Sequence, residues 1–178
     1  LDALIRERQA IEAAVLEAAH AQVAAAGEAG PLVLVAGEGW HQGVIGIVAG
    51  RLREHYERPA CVVAFEGDVG KGSGRSANGF DLGAAIIAAR QSGLLVNGGG
   101  HIQAAGFTVK RDQLPAFKAF LAERMAAHLA AGEIVPRLTI DGARAGHREP
   151  GATTTWTCRR CRSRMRVTAA VATASARA

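Results

Sequence analysis

No run of apolar residues in the 178-residue chain approaches the roughly 20 needed to span a bilayer, so no stretch reads as a transmembrane helix. The opening LDALIRERQ lacks the cationic and apolar regions of a secretory signal, because Asp2 and Glu7 interrupt them. An initiator Met is missing too, which gives the expectation that the chain begins inside a longer protein. Cysteine is scarce. Cys61, Cys158 and Cys161 are too few and too unevenly placed for a disulfide framework, which points to a reducing cytoplasm. Cys158-x-x-Cys161 has redox or zinc spacing, but with His147 as its only nearby partner and no second pair it reads as coincidence.

Clustered metal ligands are also lacking. Asp2, Asp68, Asp81, Asp112 and Asp141 stand alone, and Glu38 and His41 share a Gly-rich turn with no third partner nearby. A hydrolytic metal centre needs several such groups converging on one cation, so no metal site and no cofactor is expected in this chain. Nor does a Ser or Cys stand in a strand–turn–helix elbow, since Gly72-Ser73-Gly74 lacks the outer spacing of that motif. The chain reads as catalytically incomplete.

Charge of one sign is confined to one end. Residues 1–141 hold 13 Lys/Arg and 15 Asp/Glu, a net of −2, whereas residues 142–178 hold 8 Arg, no Lys and one Glu, a net of +7. The overall +5 and basic pI therefore belong to the tail, and nucleic-acid binding by the main body must rest on local sites. From Gly142 onward there is neither helical nor strand periodicity, so residues 142–178 are expected to be a disordered Arg-rich tail.

Before the tail, helical and strand patterns alternate. A long helix is expected over residues 2–26, with Asp2 as cap and Gly27 just past its end, within a connecting segment 1–29. LVLVA, ACVVAF, VGKGSGRS and FTVK read as strands. VIGIVAGRLREHY, residues 82–91 behind a capping Asp81, and LPAFKAFLAERMAAHLAA read as helices. The fold class is therefore α/β, a mixed sheet flanked by helices over residues 30–132. RLTID is expected to open a further strand, and His20, His55 and His128 to be solvated.

Two segments carry chemistry. In KGSGRS, period two places Lys71, Ser73 and Arg75 on one side of an extended segment, with Ser76 next, and no acid intervenes between Asp68 and Asp81. Two cations and a hydroxyl suit phosphate groups, although the same composition also fits a solvated edge strand. In NGGGHIQAAG, six of ten residues are Gly or Ala, and His101 follows three glycines. This stretch is read as a loop in which Gly98, Gly99 and Gly100 offer unshielded N–H groups and His101 a ring easily protonated beside an anion. A plain turn with a structural histidine is the alternative. Trp40-His41 reads as a half-buried turn aromatic before it reads as a base-stacking platform.

GWHQGVIGIVAGRL, RPACVVAF, KGSGRSANGFDLGAAI and NGGGHIQAAGFTV, in this order, resemble the DHH-associated domain of the RecJ family of bacterial single-strand-specific DNA exonucleases. The resemblance covers about residues 1–141. It implies that this chain is the single-stranded-DNA-binding part of a 5′-to-3′ exonuclease acting in DNA recombination and repair. A separate DHH domain upstream would be the partner holding Mn2+ or Mg2+ and performing the hydrolysis. By motif position it implies that Lys71, Ser73, Arg75 and Ser76 contact backbone phosphates. Gly98, Gly99, Gly100 and His101 would cradle a phosphate near the scissile bond, with His101 assisting the metal centre, and Trp40 and His41 would line the same cleft. Residues 133–141 would begin an oligonucleotide-binding barrel that the tail then departs from. Arg without Lys, with abundant Ala and Thr, gives the expectation that the tail is out-of-frame translation of a GC-rich gene. The alternatives are another phosphodiesterase of the same superfamily, cleaving oligoribonucleotides or cyclic dinucleotides, and a non-functional gene remnant.

Overall fold

Strand β2, Ala60–Glu66, shows where the sheet must sit. Every residue from Ala60 to Phe65 is buried, and strand alternation divides them between two cores. Cys61, Val63 and Phe65 pack with Ile86, Phe117, Leu121 and Met125 on one face. Ala60, Val62 and Ala64 pack with Val15, Ala19, Val44, Val48 and Leu52 on the other. A strand apolar on both sides demands helices on both sides. The computed structural model, which describes residues 2–27, 30–132, 154–157 and 164–167, supplies them.

The elements run α1 (Asp2–Ala25), β1 (Val33–Glu38), α2 (Gln42–Tyr56), β2, β3 (Val69–Arg75), α3 (Leu82–Gln91), β4 (Asn97–His101), β5 (Ala104–Lys110), a 3-10 turn at Arg111–Gln113, and α4 (Leu114–Ala131). The five strands lie in the order β1-β2-β3-β5-β4, with β1 parallel to β2 and the other neighbours antiparallel. Helices α1 and α2 cover one face, and α3 and α4 pack on the other. The mixed α/β sheet flanked by helices, with a long helix in front, is the architecture expected from the sequence.

Local chemistry sets the boundaries. Asp81 caps α3, its Oδ1 accepting the Ala84 N–H at 2.9 Å. His41 caps α2 through Nδ1, which accepts the Gly43 N–H at 3.0 Å. Helix α1 is fastened to α2 by buried Glu12, which meets Arg51 Nε at 2.6 Å. It is fastened to the sheet by the Gln22 amide, which donates to Ala36 O at 2.8 Å and accepts the Ala36 N–H at 3.2 Å. Gln22 thus fills one rung on the outer edge of β1. Two histidines expected to be solvated have partners: His20 Nδ1 lies 2.9 Å from Tyr56 Oη, and His128 Nε2 lies 3.0 Å from Asn78 O. Burial pushes the Cys61 thiol up to about 12, which leaves it a packing group.

The β2–β3 hairpin turn is clamped by one ion pair. Arg111 donates to the Glu38 carboxylate and to Gly67 O, Glu38 accepts the Gly67 N–H at 3.1 Å, and the guanidinium lies over the Phe65 ring. The Arg111 hydrogen bond first, then the Gly67 N–H, holds the Glu38 carboxyl below its ordinary range. A carboxyl with a lowered folded-state pKa contributes stability above its unfolded pKa and loses it as pH falls through the folded value. Wild type is therefore expected to be more stable than Glu38→Gln at pH 7, with the gap closing below about pH 4.3. Denaturant melts at both pH values check this, and a constant gap would refute it.

In the separate C-terminal unit, Thr154–Thr157 pairs antiparallel with Arg164–Val167, in register Thr154↔Val167 to Thr157↔Arg164. This corrects the expectation of an unstructured tail at those eight residues. Thr, Trp and Val favour extended backbone, and alternating Arg-Met-Arg-Val supplies period two, but over stretches too short to stand out in the sequence. The strand expected at RLTID, the barrel start at 133–141, the CxxC cysteines and the rest of the tail lie outside the described residues.

Candidate functional site

Strand β3 is built of two unlike faces. Gly70, Gly72 and Gly74 are buried toward α3 and α4, where a Cβ at Gly72 would stand 2.2 Å from the Phe107 ring and one at Gly74 would stand 2.8 Å from Leu82. Those glycines leave room for core side chains. Lys71, Ser73 and Arg75 therefore point to the opposite face, the one that carries α2.

Cross-strand register extends that face. Arg75 pairs with Ala104, which pairs with His101. Ser73 aligns in the same way with Gly106 and Gly99, and Lys71 with Thr108 and Asn97. Residues paired across a sheet share a face, so Arg75 and His101 stand on the same surface, about 10 Å apart across two strand spacings. Along β3, Lys71, Ser73 and Arg75 repeat every 6.8 Å or so, which is comparable to the separation of successive phosphates in an extended strand.

Helix α2 lies against β2 and β3, while β5 and β4 have no helix over this face among the described residues. The core under α1 and α2 draws on β1 and β2 but on no residue of β3, β4 or β5. Helix α2 instead forms a wall along β3: a Cβ at Gly46 would lie 3.2 Å from Ser73 Oγ and 3.5 Å from Arg75 Nη2. The result is a groove with β3, β5 and β4 as its floor. Its open end is a hollow lined by Lys71, Asn97, Gly99, Gly106 and Thr108. Strand alternation puts Lys71, Arg75, Lys110 and His101 on this face, with one carboxylate, Glu66 at the end of β2, in the lane of Val69 and Lys110. Such a surface attracts anions.

The sequence-derived candidates divide here. Lys71, Ser73, Arg75, Gly99 and His101 come together. Gly98 and Gly100 do not offer open backbone surface: a Cβ at Gly98 would meet Ile86 at 2.7 Å, and one at Gly100 would meet Ala104 O at 2.4 Å. Only Gly99 of the three faces open space. The expected loop is in fact the edge strand β4, and none of its glycines has a positive φ. Ser76 ties the chain together at the groove's end, its N–H donating to Gln103 O and its hydroxyl to Phe80 O. Trp40 is half-buried, stacked over Gly37 and packed against the α1–α2 core. His41 is exposed at the start of the α2 wall.

Asn97, Gly106 and Thr108 were missed as lining residues. Their signal was available: AAGFTVK alternates from Ala104 onward, with Ala105, Phe107 and Val109 buried and the rest turned to the groove. Among the described residues, no group of three or more His, Cys, Asp or Glu is placed to hold a metal ion. No described helix is long and apolar enough to cross a membrane.

Comparison with known proteins matches residues 28–127 to the DHHA1 domain. The single-stranded-DNA-specific exonuclease RecJ of Bacillus subtilis is 34% identical over 143 residues, covering 79% of this chain and 18% of that protein. The RecJ of Thermus thermophilus is 41% identical over 119 residues, covering 67% and 16%. A crystal structure of the Thermus thermophilus RecJ in complex with Mn2+ superimposes with a TM-score of 0.60 at 36% identity, over 68% of this chain and 17% of that one. The chain spans about a sixth of the length of these curated relatives.

Proposed function

This chain belongs to the DHHA1 domain family, with RecJ exonucleases among its relatives, and from that premise we propose that it is the single-stranded-DNA-holding part of a RecJ-type 5′-to-3′ exonuclease. One observation carries the reading: Arg75, Ser73 and Lys71 share a sheet face with Gly99 and His101, and the cross-strand lanes that join them hold no carboxylate.

Each residue has a part that follows from its place. Lys71, Ser73 and Arg75 meet three successive backbone phosphates, the two cations neutralising the outer ones and Ser73 donating its hydroxyl to the one between. The lane Ala104, Gly106 and Gly99 carries almost no side chain, so sugar and phosphate can lie close to the strands. His101, exposed at the far side, donates a hydrogen bond to a phosphate oxygen. The binding is to phosphate and sugar, so it holds a strand without choosing its sequence. Bond cleavage, with Mn2+ or Mg2+, belongs to a DHH domain in the longer protein, in recombination and repair in the cytoplasm.

The purified chain is expected to bind a labelled single-stranded oligodeoxynucleotide weakly, with two or three phosphate contacts giving a slope of log K on log salt of about −1.5 to −2. It is expected not to cleave that strand with Mn2+ added. Salt-independent binding would sink the groove assignment, and robust cleavage would sink the division of labour.

A further inference from the structure

The groove does not end at Arg75. Arg75 also lines a second hollow, shared with Arg53, Ser76, Asn78, Ile102 and Gln103. Arg53 stands seven residues beyond Gly46 on α2, two turns along the flank that meets Ser73 and Arg75. Gly43, Gly46, Gly50 and Arg53 thus form one stripe: three positions without side chains, then a guanidinium.

Among the described residues neither arginine is tied up by a strong ion pair. Arg75 Nη1 donates to its neighbour's carbonyl, Gly74 O, at 3.1 Å. Arg53 Nη2 lies 3.5 Å from Glu54 Oε1, with the two side chains 41% and 54% exposed, a pair that water screens. By contrast, Asn78 Nδ2 donates to Glu57 O and the Ser76 hydroxyl to Phe80 O, so these two shape the hollow while the guanidinium groups provide its donors. Ile102, 57% exposed, stands at the mouth as an apolar surface for a sugar or base.

We propose that Arg53 is a further phosphate contact, closing with Arg75 on the phosphate next beyond the one seated on Ser73, so that two guanidinium groups hold it where β3 alone offers one. The proposal rests on the reading of the groove as a strand-binding surface. Two forked guanidinium groups on one hollow suit a phosphate, whether an internal diester or a group at the end of the strand.

Fluorescence anisotropy of a labelled single-stranded oligonucleotide, titrated with the whole chain across a salt series, tests it. Arg53→Gln is expected to weaken binding about tenfold at low salt and to make the salt slope shallower by about 0.7. Arg53→Lys should keep the slope and lose part of the affinity. The same oligonucleotide with and without a terminal phosphate separates the two sources: an equal Arg53 effect on both indicates an internal diester, and an effect on the phosphorylated strand alone indicates its end. If Arg53→Gln keeps the wild-type slope while Arg75→Ala loses it, the Arg53 contact is overturned and the groove stands. If neither variant changes the slope, both readings fall.

Discussion

Gly100→Ala is expected to lower the melting temperature by about 10 °C, while Gly99→Ala, one residue away, shifts it by roughly 2 °C or less. A Cβ at Gly100 would lie 2.4 Å from Ala104 O, 2.5 Å from Ala105 Cα and 2.6 Å from its Cβ. The first two obstacles are main chain of the paired strand, so no rotamer change relieves them. The edge strand must move away from β5, at a cost of about 3 kcal/mol for overpacking of this kind. At Gly99 the added methyl meets nothing within 4 Å and points into the groove. That variant should fold normally and bind single-stranded DNA less well, because its methyl occupies the lane left for the backbone. Thermal melts of both variants decide the matter. Equal melting temperatures would mean that β4 does not lie against β5 as described.

The second large effect is on binding. Lys71→Ala combined with Arg75→Ala is expected to remove two of the phosphate contacts and to bring the salt slope from about −2 to about −0.5. At low salt the loss in affinity should be about a hundredfold, with the fold intact, since Lys71 is exposed and Arg75 half-buried at the surface. In a full-length enzyme carrying this unit, Arg75→Ala or His101→Ala is expected to lower kcat/KM at least tenfold, because a phosphate held one contact short is poorly positioned. Wild-type rates from both variants would refute the assignment of the groove. The double variant also guards against a trivial explanation: scattered surface charge would change the slope gradually, whichever lysines or arginines were removed.

Local chemistry made much of this legible. Asp81 before a helical run and Pro59 ahead of ACVVAF mark ends that depend only on neighbours in the chain, and the structure places those elements where the pattern does. The two-faced character of KGSGRS was equally plain, since period two is a local property. The glycines were harder. Those of NGGGH suggested a loop moulded around a ligand, yet Gly98 is small because Ile86 and Phe107 press on it, and Gly100 because β5 does. These neighbours arrive from the folded sheet, and nothing beside the motif announces them. The same holds for His128, whose partner Asn78 is fifty residues away. Arg53 escaped notice for a related reason. Its distance from Gly46 in sequence is an ordinary helical repeat, and only the placement of α2 along β3 gives that repeat a meaning.

The amide of Gln22 has a consequence for how this chain can be shortened. Its two hydrogen bonds to Ala36 fill one rung where a sixth strand would pair at the sheet margin. A shortened protein that starts after α1 would present that margin bare, a row of unmatched peptide groups beside apolar Leu32 and Leu34, open to the same row on another molecule. Self-association through β1 is the expected outcome, growing with protein concentration, so the leading helix doubles as a guard against clumping.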